Sequence, residues 1–125
     1  MAGKFIHYCI HVLDRDASIE FYREALGLEV VRVMEAEDKT WSNTYMATKA
    51  GEFEIELTWN KGRVEPYENG GKDLHIAFEV EDYEESLRHH EQMGCVEKVN
   101  DVMGIYFIND PDGIRIEIVP EKFDY

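Results

Sequence analysis

Lys4-Phe5-Ile6-His7, followed by Val12 and Asp14, returns 68 residues later as Lys72-Asp73-Leu74-His75, followed by Val80 and Asp82. The ends of the two segments repeat at a spacing of 61: Tyr45-Met46 aligns with Tyr106-Phe107, and Phe53-Glu54-Ile55-Glu56 with Ile114-Arg115-Ile116-Glu117. A duplicated unit accounts for repeated core residues. It does not account for a histidine at the opening and a glutamate at the close of both copies, because both are costly to bury unpaired. That repeated pairing points to a metal site.

Working outward, each copy reads as a strand, a helix and three strands. Residues 5–12 alternate, with Ile6, Tyr8, Ile10 and Val12 on one face. Asp14 or Asp16 can cap a helix whose inward stripe is expected to be Ala17, Phe21 and Ala25, and Gly27 supplies the stop. Extended segments follow at about 29–35, 44–49 and 52–60, with Gly51 in the turn before the last. The second copy opens with Leu74, Ile76, Phe78 and Val80 on one face, and Asp82 precedes a helix ending at Gly94. Strands then run near 96–99, 104–108 and 114–119, the last after the Asp110-Pro111-Asp112-Gly113 turn. The expected fold is α+β: two tandem βαβββ modules forming a curved, eight-stranded mixed sheet cup with helices on its outer face. Residues 1–125 are expected to make one domain, with module one at about 4–61, a linker at about 62–71 and module two at about 72–120.

Period-two alternation separates the faces. The apolar rows beginning at Ile6 and Leu74 suit the helices, leaving Phe5, His7, Cys9 and His11 on the other face of the first strand and Asp73, His75, Ala77 and Glu79 on that of its counterpart. On the closing strands Glu54, Glu56, Thr58 and Asn60, and Arg115, Glu117 and Val119, fall on the corresponding rows. His7, Glu56, His75 and Glu117 therefore share the face away from the helices. Two imidazoles and two carboxylates form an N2O2 set suited to a divalent first-row ion. An octahedral ion held by all four keeps two positions for water or substrate.

Composition narrows the function further. A chain of 125 residues with 44% hydrophobic and 12% aromatic content is long enough for one ordinary core. The net charge of -14 argues against nucleic acid and against an anionic membrane surface. Cys9 and Cys95 are isolated, with no CxxC pairing, and no secretory signal is evident, so a reduced, cytoplasmic setting is expected. Both cysteines read as small core hydrophobes, although Cys9 lies two residues from His7. His89 and His90, beside Glu91 on the second helix, are expected at the surface, and Trp59 is expected to point to the helix side.

The chain resembles the vicinal-oxygen-chelate (glyoxalase/bleomycin-resistance/dioxygenase) superfamily over essentially all its length. The segments that carry the resemblance are Phe5-Ile6-His7, Ser18-Ile19-Glu20-Phe21-Tyr22 with Leu26-Gly27-Leu28, Ile55-Glu56-Leu57-Thr58-Trp59-Asn60, Leu74-His75-Ile76-Ala77, and Asp110-Pro111-Asp112-Gly113 running into Ile116-Glu117-Ile118. Within it, the short bacterial glyoxalase I (lactoylglutathione lyase) type is the nearest in pattern. The resemblance places the family's ligands on His7, Glu56, His75 and Glu117. It implies one divalent metal ion per site, nickel or cobalt favoured over zinc, and a hemithioacetal of methylglyoxal and a thiol, glutathione by default, isomerised to a 2-hydroxyacyl thioester. Glu117 would be the catalytic base, with Glu56 serving the opposite face.

The resemblance also implies a homodimer; in such family members the active sites are often built by halves from both chains, while others close the cup within one chain. Glutathione-using members commonly carry arginine four residues after the first histidine. Here His11 stands there, without arginine's bidentate fork, while Asn60 matches the family's asparagine in the same substrate-binding subsite. Two other readings remain: a different vicinal-oxygen metalloenzyme, such as a methylmalonyl-type epimerase or a ring-cleaving dioxygenase, and a non-catalytic drug-binding module.

Overall fold

The computed structural model describes residues 1–121. They fall into two compact units that divide between Tyr67 and Glu68. In the first unit the order is β1 (His7–Val12), α1 (Arg15–Leu26), β2 (Glu29–Glu35), β3 (Trp41–Ala47) and β4 (Glu54–Asn60). In the second it is β5 (Ile76–Val80), α2 (Tyr83–Met93), β6 (Val96–Asn100), β7 (Ile105–Asn109) and β8 (Arg115–Pro120). The α+β class and the twofold βαβββ pattern are as expected. The eight strands are grouped four and four, in the orders β1-β4-β3-β2 and β5-β8-β7-β6. No helix among the described residues is long and apolar enough to cross a membrane.

Each helix is delimited by the residues the sequence supplies for it. Asp14 is the N-cap of α1, its carboxylate accepting from the Ala17 amide at 3.0 Å, and Gly27 closes it with φ 68°. Asp82 and Gly94 do the same for α2, with 3.1 Å to the Glu85 amide and φ 73°. The buried face of α1 is Ser18, Tyr22 and Ala25, not Ala17, Phe21 and Ala25. Ala17 gives its amide to the cap, and it is the small Ser18 beside it that is buried. In the same unit Ile10 and Val12 on β1, Met46 on β3 and Ile55 and Leu57 on β4 are all at most 7% exposed.

Register decides which side chains stand opposite. In the first sheet Cys9 pairs with Glu56 and Glu56 with Tyr45, while Tyr45 pairs with Arg32. A row Cys9–Glu56–Tyr45–Arg32 thus crosses all four strands on the face away from α1. The equivalent row in the second sheet is Ala77–Glu117–Phe107–Lys98. The repeat is therefore displaced by one residue from the sequence alignment on the third strand: Tyr45 corresponds to Phe107, not Tyr106. The cause lies in the turns. The Asp110-Pro111-Asp112-Gly113 turn is tight, Asp110 Oδ1 accepting the amides of Asp112 and Ile114 at 2.9 and 2.8 Å. The connection through Gly51 carries one residue more.

His90 is a second departure. It is 1% exposed rather than at the surface, with its Nδ1 2.7 Å from the hydroxyl of the fully buried Tyr106. Burial pushes the Tyr106 phenol far above its ordinary value, so it stays a neutral hydrogen-bonding group. Replacing His90 by alanine is expected to lower stability by about 2–3 kcal/mol, because it opens a cavity and strips the Tyr106 hydroxyl of a partner. Urea unfolding of the variant against wild type measures it; a difference within error would show the pair to be dispensable.

Candidate metal centre

The four candidate ligands occur as two pairs, one in each unit. His7 opens β1 and Glu56 sits in the middle of the neighbouring β4, so that His7 Nε2 lies 3.5 Å from Glu56 Oε1. His75 precedes β5, and its Nε2 lies 3.7 Å from Oε1 of Glu117 on β8. In both copies the parallel pairing of first and last strands brings the opening histidine beside the closing glutamate. These separations are long for hydrogen bonds. They are close to the roughly 3–3.5 Å expected between two donors of one small cation whose bonds are each about 2.1 Å. Among the described residues no group of three or more His, Cys, Asp or Glu side chains is assembled. Each unit brings one histidine and one glutamate together.

The surroundings of the pairs are built on a common plan. An aromatic ring stands edge-on to each imidazole at 5.7 Å, Tyr45 for His7 and Phe107 for His75. Each ring is covered on one face by a guanidinium: Arg32 at 3.6 Å from the centre of Tyr45, Arg115 at 4.9 Å from that of Phe107. Each guanidinium is in turn held by a carboxylate through two bonds, Arg32 by Glu54 at 3.2 and 2.9 Å and Arg115 by Glu97 at 2.9 and 3.2 Å. The ion pair is reversed between the copies, since arginine comes from the second strand in one and from the fourth in the other. The arginines hold the carboxyls of Glu54 and Glu97 below the usual range, so both remain anionic clamps at neutral pH.

Two polar groups mark the first pair alone. The Tyr45 hydroxyl donates to Glu56 Oε2 in a short hydrogen bond. Glu56 as acceptor raises the Tyr45 phenol above its ordinary value and so keeps its proton in place. Cys9, opposite Glu56, is exposed on this face rather than in the core, with Sγ 3.3 Å from Thr58 Oγ1 and 3.9 Å from His11 Nδ1. Burial of its sulfur pushes the thiol up, and the Glu56 carboxylate adds to the effect. The thiol form is thereby favoured over the thiolate that a metal would need. In the second pair His75 Nδ1 lies 3.4 Å from the Asp73 carbonyl. Donation there leaves the lone pair on Nε2, the nitrogen that faces Glu117.

His11 lies on the same face as His7, its ring 5.2 Å from that of Tyr67, which carries Arg63 at 4.2 Å. The Arg63 donors go to the Glu65 and Pro66 carbonyls at 2.8 and 3.1 Å. Asn60 ends β4 in an exposed position. Trp59 points to the helix side, where the Arg15 guanidinium covers its ring at 4.5 Å. The sequence offers Tyr45 and Phe107 only as repeated residues and Arg115 only as a neighbour on the Glu117 row, and it gives none of them, nor Arg32, a place beside the histidines. Their signal was the hairpin register, which depends on a turn length that alternation alone does not report.

Comparison with known proteins identifies the family of the chain. Residues 4–118 match the Glyoxalase/Bleomycin resistance protein/Dioxygenase superfamily. The lactoylglutathione lyases of Haemophilus influenzae and Escherichia coli O157:H7 are each 33% identical over 127 residues, covering 95% of this chain and 93% of theirs. The trypanothione-dependent glyoxalase I of Leishmania major superposes with a TM-score of 0.87 at 30% identity, covering 97% of this chain and 88% of that one. Glyoxalase I of Zea mays superposes with a TM-score of 0.76 at 26% identity, and this chain spans 44% of it. The chain therefore belongs to the Glyoxalase/Bleomycin resistance protein/Dioxygenase superfamily.

Proposed function

We propose that this protein is a metal-dependent glyoxalase I, which isomerises the hemithioacetal of methylglyoxal and a thiol to a 2-hydroxyacyl thioester. The observation that carries the reading is the paired His–Glu arrangement, 3.5 Å in one unit and 3.7 Å in the other, in a chain related to lactoylglutathione lyases. The donors fit a divalent ion: two imidazole nitrogens and two carboxylates that offset its charge. His7, Glu56, His75 and Glu117 would hold it, with nickel or cobalt favoured over zinc. When bound it would supply Lewis-acid stabilisation of charge on the two vicinal substrate oxygens.

The proton chemistry falls to the protein. Glu117 would take the proton from the thiol-bearing carbon and return it to the neighbouring carbon, while the hydroxyl proton passes from the first oxygen to the second, so the aldehyde carbon is oxidised and the ketone carbon reduced within one molecule. No nicotinamide is needed. Glu56 serves the opposite face of the site. By resemblance, His11 and Asn60 would contact the thiol. Glutathione is the default thiol, although His11 offers no bidentate fork for a carboxylate.

By resemblance to the family, we take the complete site to be shared between two chains of a homodimer, the His7–Glu56 pair of one chain meeting the His75–Glu117 pair of the other. Phe5, Ile6 and Leu74, neighbours of the two histidines, are 94%, 55% and 63% exposed in the single chain. Association would cover such apolar surface. The reaction is tested by mixing methylglyoxal and glutathione with protein loaded with nickel, cobalt or zinc, and following thioester absorbance. Thioester formation that stops on chelation is the expected result. No formation with any of the three metals, repeated with other low-molecular-weight thiols, would favour another chemistry on this fold.

A further inference from the structure

The two halves of the site are near copies, so the places where they differ are informative. Ring, guanidinium and clamping carboxylate are present in both. The aromatic side chain itself therefore has a role common to both, namely packing against the histidine. What the first half adds is a hydroxyl. Tyr45 is 5% exposed, and its hydroxyl is spent on Glu56 Oε2. At the corresponding place beside Glu117 stands Phe107, and opposite Glu117 stands Ala77 where Glu56 has Cys9. Glu56 is thus held through one oxygen and faces His7 with the other. Among the described residues Glu117 has only His75.

Building on the proposed function, we infer that Tyr45 is a positioning residue: its hydroxyl fixes Glu56 as a stationary ligand, while Glu117, lacking such a donor, keeps the freedom a proton carrier needs. A hydrogen bond to a carboxylate is of the stronger, charge-assisted kind, and partners of this sort orient ligands before a cation arrives. A base that must reach one carbon and then its neighbour requires the opposite: side-chain freedom about its own bonds. The duplication supplies two equivalent glutamates, and one phenolic oxygen separates their duties. Arg32, bound to Glu54 and lying over the Tyr45 ring, keeps that oxygen from swinging away.

The test exchanges the two rings in the full-length protein. Tyr45→Phe removes only the hydroxyl, and Phe107→Tyr supplies one beside Glu117. Nickel binding to each is titrated by calorimetry against a competing chelator, and kcat and KM are measured with the methylglyoxal–glutathione hemithioacetal. Tyr45→Phe is expected to weaken nickel binding by about tenfold with KM unchanged. Phe107→Tyr is expected to bind nickel at least as tightly as wild type and to lower kcat by about tenfold. Wild-type nickel affinity in Tyr45→Phe, with its melting temperature also unchanged, would overturn the inference. Wild-type protein that binds nickel but isomerises nothing would refute the proposed function alone, and the two nickel titrations would still decide the role of Tyr45. Wild-type protein that binds no nickel, cobalt or zinc would refute both.

Discussion

Glu117→Gln is expected to reduce kcat by about a thousandfold, within the range that a positioned base contributes, while the fold and most of the metal binding persist. The side chains have the same shape, and an amide oxygen can still serve as a ligand, but it cannot accept the substrate proton. Glu117 is well placed for this isolated effect. Its neighbours Ile116 and Ile118 carry the packing at 1% and 0% exposure, and its own side chain faces away from them at 20%. Steady-state kinetics with metal content measured on the same sample decide the matter. Full turnover in a metal-loaded variant would remove Glu117 from its role and transfer attention to Glu56. A loss of turnover that merely tracks a loss of metal would make Glu117 a ligand without acid–base duty.

The second large effect is expected from His7→Ala. Loss of a partner that only orients a ligand weakens metal affinity by about 10- to 100-fold, so loss of a ligand should exceed about a hundredfold. Elemental analysis after dialysis should then find little metal in the variant and near-stoichiometric metal in wild type. Unchanged metal content would dismiss His7 as a ligand. The same variant reports on assembly when mixed, after unfolding and refolding together, with Glu117→Gln. The two changes lie in different units, so a dimer with shared sites holds one site with both defects and one intact site. With random exchange about a quarter of wild-type activity should return. No return would place all four ligands within one chain.

Much of the candidate site is legible in the sequence. Alternation put His7 and Glu56 on one face and His75 and Glu117 on its repeat, and strand pairing realises this through ladders that join first and last strands in parallel. The caps Asp14, Gly27, Asp82 and Gly94 were legible for the same local reason: each acts within a turn of its own helix. Less legible were features that depend on a one-residue phase. The inward stripe of α1 is Ser18, Tyr22 and Ala25, and His90 faces the core although it sits in the polar run Arg88-His89-His90-Glu91. Helical polarity is a weak guide where a polar side chain finds a buried partner, as His90 does in Tyr106.

By itself, then, the sequence determined the duplication, the α+β modules, the face that carries the histidines and glutamates, and the acidic balance that disfavours nucleic acid. These follow from periodicity and composition, which are properties of the chain within a few residues. Only the tertiary structure decided which aromatic stands beside which glutamate, because one extra residue in the turn through Gly51 shifts every pairing between β3 and β4. That shift places a phenol on Glu56 and a bare phenyl ring beside Glu117, a distinction that hydrophobic pattern, blind to turn length, does not contain.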